Sequence, residues 1–528
     1  MVRSSCMRTL TVLAASLVMA SIAAVPQAEA TTSGRTAADK AIATVTKKVA
    51  LEGMLKHEQR FQEIADANSD NRASGQPGYD ASVRYVARTL RKAGYEVTIQ
   101  PYQFAYFERF GASFAQVAPV PTTYVEDVDF DLMDYSGSGD ATAPVVSIDL
   151  SLTPPRASTS GCEPEDFRNA DGTSKVAGRI ALMQRGACGF GQKVVNAEAA
   201  GAVGAVMMNQ GNGDPITNVD RYGLFGGTLG IPVGIPTVSV TYFQGEAFAN
   251  TPGLVLRVQA ETVSTFSSTS NVIAETKHGR TDNVVMAGAH LDSVPGGPGI
   301  NDNGSGAAAL LEIAVKMAKL KTPNAVRFAW WGAEEAALQG SNHYVTNLSA
   351  AELENIAGYL NFDMIASPNY TFGVLDGDDS AQEGGGPGPA GSGAIEAVFN
   401  QFFAARGEFT KASDLSGRSD YSPFQVRGVP VGGLFTGAET IKSADDVAKW
   451  GGIAGEQMDP CYHSACDSLT PEQDGAPPGV HDALEASGYR LRGNLNTYAF
   501  DVNADAVATA IVTFAYDTST VNGGGGGL

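Results

Sequence analysis

The sequence predicts an α/β fold in which a mixed, mainly parallel central sheet is flanked by helices and carries an inserted β-rich domain. From residue 271 onward, short apolar runs alternate with stretches of helical periodicity, which is typical of a parallel sheet covered by helices. Between residues 128 and 262 the pattern changes to short β-like runs separated by Gly and Pro turns, which indicates a separate module. The chain has 528 residues, 43% of them hydrophobic, and so exceeds the roughly 250 to 300 residues at which one core stops growing.

The first 30 residues are typical of a secretory signal peptide. Arg3 and Arg8 precede an apolar run over residues 10–25, and residues 28–30 (AEA) match the small-residue pattern of a cleavage site. The run is shorter than the ~20 residues that span a bilayer, which favours cleavage over a membrane anchor. No later segment offers ~20 consecutive apolar residues. We therefore expect a secreted, extracellular protein with no membrane partner.

The remaining elements follow from the local sequence. Residues 31–45 lack a clear apolar period and are expected to form a flexible leader, and the glycine run within residues 519–528 predicts a disordered tail. The main domain is expected in two parts, residues 46–127 and 263–518, separated by the module at residues 128–262. The predicted helices are two between residues 45 and 91 with a loop between them, then 193–200, 306–320 and 335–346. The predicted strands are 95–99, 145–148, 180–183, 284–290, 326–331 and 359–363, and 501–515 is a further helix or strand.

Four cysteines remain after removal of the signal peptide, an even number in an exported protein, which predicts two disulfides. Their clustering favours the local pairs Cys162 with Cys188 and Cys461 with Cys466. A zinc site built from all four thiolates would require shorter paired spacings.

Acidic and histidine side chains stand at the ends of three predicted strands and in one glycine-rich turn: His290, Asp292, Glu334, Glu335, Asp363 and Asp302. In open α/β sheets ligands bind beyond the carboxyl ends of the strands, where these side chains would meet and could hold a divalent cation. These residues offer more ligands than a single metal ion needs. With Asp302 as a bridge, His290 and Asp363 could serve one ion while Glu335 and the remote His463 serve another. Taken singly, each residue has an ordinary alternative, as a turn cap or a partner of a helix dipole.

These residues fall in motifs that resemble the M28 family of zinc aminopeptidases, and the secreted bacterial leucine-type aminopeptidases most closely. The motifs, in order, are GAHLDS (288–293), GINDNGSG (299–306), WGAEE (331–335), NFDM (361–364), GRSD (417–420), GLFTGAE (433–439) and CYHSACD (461–467). The resemblance implies the zinc exopeptidase fold and two Zn²⁺ ions.

The resemblance also implies a role for each site residue. It makes the metal ligands His290, Asp302, Glu335, Asp363 and His463, with Asp302 bridging. Glu334 would be the general base, and Asp292 would orient the ring of the histidine ligand from behind. Tyr462 would hold the oxyanion.

The resemblance further implies three substrate contacts, each with an ordinary alternative. Arg418 would lie at the edge of the substrate, or else form a surface ion pair with Asp420. Met364 and Phe435 would line a pocket for a large apolar side chain, or else be core residues. The histidines outside the motifs are taken as structural: His57, His278, His343 and His481.

The module at residues 128–262 is similar to a protease-associated (PA) domain. The similarity rests on Cys162 and on GRIAL (178–182), RGACGF (185–190), AEAAGAVG (197–204) and IPTV (235–238). A PA domain implies a β-rich lid or spacer that limits access to the site and supplies no ligands.

The function expected from these features is a secreted dizinc aminopeptidase that acts on peptides with a free N-terminus and prefers large apolar, Leu-like residues. The alternatives are a relative of the glutamate carboxypeptidases and a receptor-like relative without catalysis. A formal net charge of −21 argues against nucleic acid as a partner. We expect a monomer, and the sequence assigns no structural Ca²⁺ ion.

Overall fold

The computed structural model describes residues 31–382 and 385–522. The predicted signal peptide and most of the predicted glycine tail lie outside these residues. The helices are α1 Thr31–Thr46, α2 Leu51–Asp66, α3 Pro77–Ala93, α4 Phe190–Ala199, α5 Tyr242–Ala249, α6 Gly306–Met317, α7 Gln339–Thr346, α8 Ala350–Glu354, α9 Ser392–Ala405, α10 Tyr421–Val426, α11 Ala444–Trp450, α12 Val480–Ala486, α13 Thr497–Tyr516 and α14 Ser519–Asn522. Short 3₁₀ turns lie at Pro164–Phe167 and Val219–Arg221, and an irregular turn at Ile300–Ser305 leads into α6.

The strands are β1 Glu96–Ala118, β2 Thr122–Tyr124, β3 Phe130–Leu132, β4 Gly139–Ser147, β5 Ile180–Gln184, β6 Gly204–Met208, β7 Thr237–Val240, β8 Val255–Glu275, β9 Arg280–His290, β10 Asn324–Trp331, β11 Ile356–Phe362, β12 Gly373–Leu375, β13 Lys411–Ser413, β14 Val431–Phe435, β15 Leu491–Arg492 and β16 Leu495–Asn496. The neighbours β14, β11, β9 and β10 are parallel to one another, whereas β8 is antiparallel to β10 and β12 is antiparallel to β14. The predicted mixed, mainly parallel sheet is thus confirmed.

Both faces of this sheet are covered, because alternate side chains of its strands point to opposite faces. On one face Val285 and Ala287 of β9 belong to a core shared with α2, α3, α6 and α13. On the other face Val284 and Met286 pack in a second core with α7 and α10. The apolar runs of the sequence reflect this burial from both sides.

Strands β1 and β8 form a long antiparallel ribbon that connects the two parts of the protein. Their register runs from Glu96 opposite Glu275 to Ala118 opposite Val255. The prediction of a strand over residues 95–99 alone was too short. Pro101 and Gly111 resemble strand breakers in the local sequence, but pairing with β8 continues past both, with an irregularity beside Gly111.

The inserted module is organised around the parallel strands β4, β5, β6 and β7, with β3 antiparallel to β7. Its sheet joins the rest of the molecule where β4 pairs with β8. Two clusters of buried apolar residues, distinct from the cores of the main sheet, lie in this module. The module therefore has its own core, as the change in sequence pattern predicted.

The prediction of a flexible leader at residues 31–45 was wrong. These residues belong to α1, in which Ala41 and Val45 are 5% and 2% exposed and contribute to the main core. Two apolar residues four positions apart are too weak a pattern to predict a helix from the sequence alone. The helix α1 is held instead by tertiary packing against α13. The predicted tail also starts too early, because residues 519–522 form α14 with Val521 buried.

Both predicted disulfides are confirmed. Cys162 is bonded to Cys188, and Cys461 is bonded to Cys466 only five residues away. Among the described residues, none of the helices combines the length and the apolar character that a membrane span would need.

Candidate metal centre and active site

The site lies at the carboxyl ends of three adjacent parallel strands, β11, β9 and β10. His290 is the last residue of β9, and Asp363 directly follows β11. Glu334 and Glu335 lie three and four residues beyond the end of β10. Because parallel strands end at one edge of the sheet, these side chains converge as the sequence predicted.

Asp302 and His463 reach the same edge from two loops. Asp302 lies in the turn that precedes α6, where its backbone is not helical (φ −105°, ψ 94°), and His463 lies within the loop closed by the Cys461–Cys466 disulfide. His463 has a left-handed backbone with φ of 55°, a conformation that is uncommon for a residue with a side chain.

Each oxygen of the Asp302 carboxylate faces a different histidine. Oδ1 is 3.2 Å from His290 Nε2, and Oδ2 is 3.3 Å from His463 Nε2. Asp363 Oδ1 lies 3.2 Å from the same nitrogen of His290, and Glu335 Oε2 lies 3.1 Å from that of His463. Two groups of three potential ligand atoms therefore share Asp302, and the atoms within each group lie within 4.8 Å of one another.

Asp292 and Glu334 flank His290 on opposite sides. The Nδ1 atom of His290 faces Asp292, at 3.2 Å from its backbone oxygen and 3.7 Å from its Oδ1. On the Nε2 side, Glu334 Oε2 lies 3.9 Å away. The backbone N–H of Glu334 donates to Asp292 Oδ1 at 3.4 Å, so Asp292 contacts both the ring and the loop that carries Glu334.

Burial among acids shifts the pKa values of the cluster. Burial lowers the pKa of His290, but the carboxylates of Asp363 and Glu334 outweigh it and hold that pKa well above its usual value. Burial raises the pKa of Glu334 well above its ordinary range, and burial together with Asp302 raises that of Glu335 to about 7. The cluster has more carboxylates than its two histidines can balance, and a bound cation would relieve this excess.

The donor set fits a divalent metal. Glu335 Oε1 and Asp292 Oδ2 are buried and have no hydrogen-bond partner among the described residues. A buried oxygen without a partner is costly, and a cation would satisfy the one on Glu335. Imidazole nitrogens and carboxylate oxygens, without thiolates, are ligands that Zn²⁺ accepts.

Ser419 is a site residue to which sequence reasoning gave no role. Its hydroxyl donates to Asp363 Oδ2 at 2.5 Å and accepts from the side chain of Asn361 at 2.8 Å. It orients the carboxylate of Asp363. Its place in the GRSD motif was the only signal in the sequence.

Tyr462 and Arg418 lie at the mouth of the site. The ring of Tyr462 stacks on that of His463 with centroids 3.8 Å apart, and Arg418 Nη2 donates to the Tyr462 hydroxyl at 3.4 Å. The alternative of an Arg418–Asp420 ion pair was wrong. Arg418 pairs with Glu439 at 2.8 Å, whereas Asp420 is completely buried.

A cavity of about 700 Å³ opens above the cluster. Met364 and Phe435 line it, as the resemblance implied, and so do Leu375, Leu434 and Met458. The lining includes none of the described residues of the inserted module. The four histidines taken as structural are also absent from it: His57, His278, His343 and His481.

Comparison with known proteins is consistent with this geometry. The chain matches the family model of peptidase family M28 over residues 271–483 and that of the PA domain over residues 141–248. An aminopeptidase of Pseudomonas aeruginosa is 46% identical over 472 residues, which cover 89% of this chain and 82% of that protein. A probable leucine aminopeptidase 2 of Aspergillus oryzae is 36% identical over 475 residues, which cover 90% and 86% of the two chains. The solved structure of an aminopeptidase from Aneurinibacillus sp. strain AM-1 shares the fold, with a TM-score of 0.59 at 24% identity over 89% of this chain and 95% of that one.

Proposed function

Because the chain belongs to peptidase family M28 and is a metallo-aminopeptidase with an inserted PA domain, we propose that it is a secreted two-zinc enzyme that removes large apolar residues from the free N-termini of peptides. The two disulfides support export, since such bonds persist in oxidising compartments.

The division of Asp302 between two histidines carries this proposal. Its two oxygens face His290 and His463, and each pair is completed by one further carboxylate, Asp363 or Glu335. Two groups that share one carboxylate suit a two-metal centre, in which each ion keeps a position open for water or substrate. These five residues would hold the two ions, with Asp302 between them. Zn²⁺ bound there would lower the pKa of a water molecule and polarise the scissile carbonyl.

Glu334 is the proton carrier of the reaction. It lies outside both groups that share Asp302, yet it is close to His290 and is followed in the chain by Glu335. Its carboxylate takes a proton from the attacking water and passes it to the leaving amine. Burial supports this role, because it raises the pKa of Glu334 and so makes its carboxylate a stronger proton acceptor.

Tyr462 donates a hydrogen bond from its phenolic O–H to the oxyanion that develops on the scissile carbonyl. Burial holds the pKa of this phenol above its usual value, so the O–H remains available as a donor. Stacking on His463 and the contact with Arg418 limit the motion of its ring. A donor oriented before the reaction stabilises developing charge without reorganisation cost.

The substrate preference follows from the cavity above the cluster. Its apolar wall includes Met364, Phe435 and Leu375, beside the carboxylates that would attract a free amine. Burial of a Leu-like side chain against this wall contributes roughly 1.5 to 3 kcal/mol of binding. The described residues of the PA module do not line this cavity, so they make no direct contact with a side chain bound in it.

A rate comparison tests the proposal. Leucine anilide and its N-acetylated form are compared on the same enzyme preparation. We expect cleavage of the free-amine substrate and at least a hundredfold lower kcat/KM for the acetylated one, because acetylation removes the charge that the carboxylates attract. Equal rates on both substrates would contradict the aminopeptidase assignment. Preferential cleavage at a free C-terminal carboxylate would favour the carboxypeptidase alternative.

A further inference from the structure

We propose that Asp467 is a positioning residue that fixes Asp302 relative to His463 and so sets the affinity of the Asp302–Glu335–His463 group for its metal ion. The inference rests on the two-metal centre proposed above. Asp467 itself contacts neither the substrate cavity nor a ligand side chain. Its effect acts through the backbone of the loop that carries Asp302.

The carboxylate of Asp467 holds two consecutive backbone amides of that loop. Oδ1 accepts the N–H of Asn301 at 2.8 Å, and Oδ2 accepts the N–H of Asp302 at 2.9 Å. The backbone oxygen of Asp467 also accepts the N–H of Ile300 at 3.0 Å. Asp467 is 2% exposed, so these bonds are shielded from water. Asp467 therefore holds three successive backbone amides, the last of which belongs to Asp302.

The other end of this connection is His463. Asp467 is four residues beyond His463 and directly follows Cys466, whose disulfide to Cys461 closes a short loop around the histidine. The N–H of Asp467 donates to the backbone oxygen of Ser464, within that loop, at 3.0 Å. Because the loop is closed by a covalent bond and an internal hydrogen bond, a fixed Asp467 also restricts His463.

A second carboxylate and an amide keep Asp467 in place. The side chain of Asn494 donates to Asp467 Oδ1 at 2.8 Å and to Asp459 Oδ1 at 2.9 Å. Asp459 in turn accepts from the side chain of Asn301 at 2.6 Å and from the N–H of Cys461 at 2.9 Å. The two loops are thus joined by a closed set of buried hydrogen bonds.

Loss of the Asp467 hydrogen bonds should affect the two groups of metal ligands differently. His290 ends β9 and Asp363 directly follows β11, which pairs with β9, so the sheet register fixes their separation without help from Asp467. His463 lies on no strand, and the Asp467 bonds are the direct link between its loop and the backbone of Asp302. Loss of these bonds should therefore weaken chiefly the group that contains His463.

The test is a Zn²⁺ titration of the metal-free, full mature chain against a competing chelator, comparing wild type with Asp467→Asn. The Asn side chain has the same shape, and its oxygen can accept one of the two backbone N–H groups. Its NH₂ group then faces the other N–H and cannot accept it. We expect one of the two Zn²⁺ dissociation constants to rise about 10- to 100-fold, as is typical when a partner of a ligand is lost, and the other to change less than threefold. The step that weakens should be the one that His463→Ala abolishes. Turnover of leucine anilide should recover with added Zn²⁺, with KM unchanged.

Asp171→Asn is the matched control, because this exposed carboxylate also accepts a backbone N–H, that of Thr173, but lies in the PA module. Its two Zn²⁺ dissociation constants should equal those of wild type. Unchanged dissociation constants in Asp467→Asn, or equal weakening of both together with a lower Tm of the metal-free protein, would overturn the inference. If Asp467→Asn does not fold, Asn494→Ala replaces it. This variant should weaken the same step severalfold, and unchanged constants there would equally refute the role.

The inference and the proposed function fail in different ways. A wild-type protein that binds fewer than two Zn²⁺ ions would refute the two-metal centre itself. A wild-type protein that binds two ions, beside an Asp467→Asn variant that binds them equally well, would refute only the role of Asp467.

Discussion

Glu334 and Glu335 are adjacent in the chain, yet their side chains have different neighbours. Glu335 Oε2 is 3.1 Å from His463 Nε2, whereas Glu334 Oε2 is 3.9 Å from His290 Nε2. The helix predicted to begin at Glu335 begins only at Gln339. The intervening loop contains left-handed residues, among them Leu338 with φ of 59°, which local propensity does not reveal. This departure from helix lets neighbouring carboxylates serve different tasks.

Glu334→Gln should lower kcat on leucine anilide by about 10²- to 10⁴-fold while leaving the metal content unchanged, because the amide keeps the shape but cannot carry the proton. Steady-state kinetics and metal analysis of the same sample provide the measurement. Glu354→Gln, at the exposed last residue of α8, is the control and should retain wild-type kcat. A Glu334→Gln variant with undiminished kcat would rule out the role as base.

Lys442 gives the stability of the protein a pH dependence. Its ammonium is buried, donates to Tyr370 O at 2.6 Å and to the Tyr489 hydroxyl at 3.1 Å, and burial lowers its pKa to about 7. Above that pH the unfolded chain still binds a proton that the folded protein has released, so the free energy of unfolding rises with pH up to the ordinary lysine pKa near 10.4.

We therefore expect wild type to gain roughly 2 kcal/mol over Lys442→Met between pH 7 and pH 9, at about 1.36 kcal/mol per pH unit once the group is mostly neutral. Denaturant unfolding of both proteins at the two pH values measures the difference. The exposed Lys449→Met should show no such change. A stability difference that is independent of pH would show that Lys442 stays charged in the folded protein.

For individual residues, the sequence predicted which residue types meet at the site but did not predict all of the contacts between side chains. The strand ends delivered His290 and Asp363 together, because sheet geometry alone requires it. The partner of Arg418 was missed, since Glu439 follows β14 while Asp420 points into the interior at the start of α10. Choosing between two nearby acids requires side-chain direction, which sequence spacing does not contain.

Among the secondary-structure elements, α1 contains the residues that the sequence predicted to be a flexible leader. Substitutions in α1 test whether these residues are packed in the fold. Val45→Asp should lower the free energy of unfolding by about 3 kcal/mol, because it buries an unpaired carboxylate in the main core. Denaturant unfolding measures this loss. Ala43→Asp, on the exposed side of the same helix, should cost less than about 0.5 kcal/mol. Equal stability of the two variants would mean that α1 is not packed in solution.

The elements that sequence predicted best are those with strong local patterns. Strands β9, β10 and β11 were located within a few residues, because a continuous apolar run is required where both faces of a sheet are covered. The length of β1 was missed, since its pairing with β8 depends on residues more than 130 positions away.

For the whole molecule, the order of the chain and the position of the site are related. The PA module interrupts the main domain between β1 and β8, and the ribbon that these strands form returns the chain to the main sheet before its first ligand at His290. All five proposed ligands therefore lie in one uninterrupted part of the chain. The motif resemblance implied these ligands, and the fold brings them together in two groups that share Asp302.

The stoichiometry of Zn²⁺ binding tests the central claim most directly. Metal-free enzyme is titrated with Zn²⁺ while bound metal and leucine anilide turnover are followed in the same solution. Two ions per chain should bind, activity should reach its maximum only as the second binds, and a chelator should reverse both. Full activity with a single bound ion, or activity that persists after both ions are removed, would contradict the two-metal account.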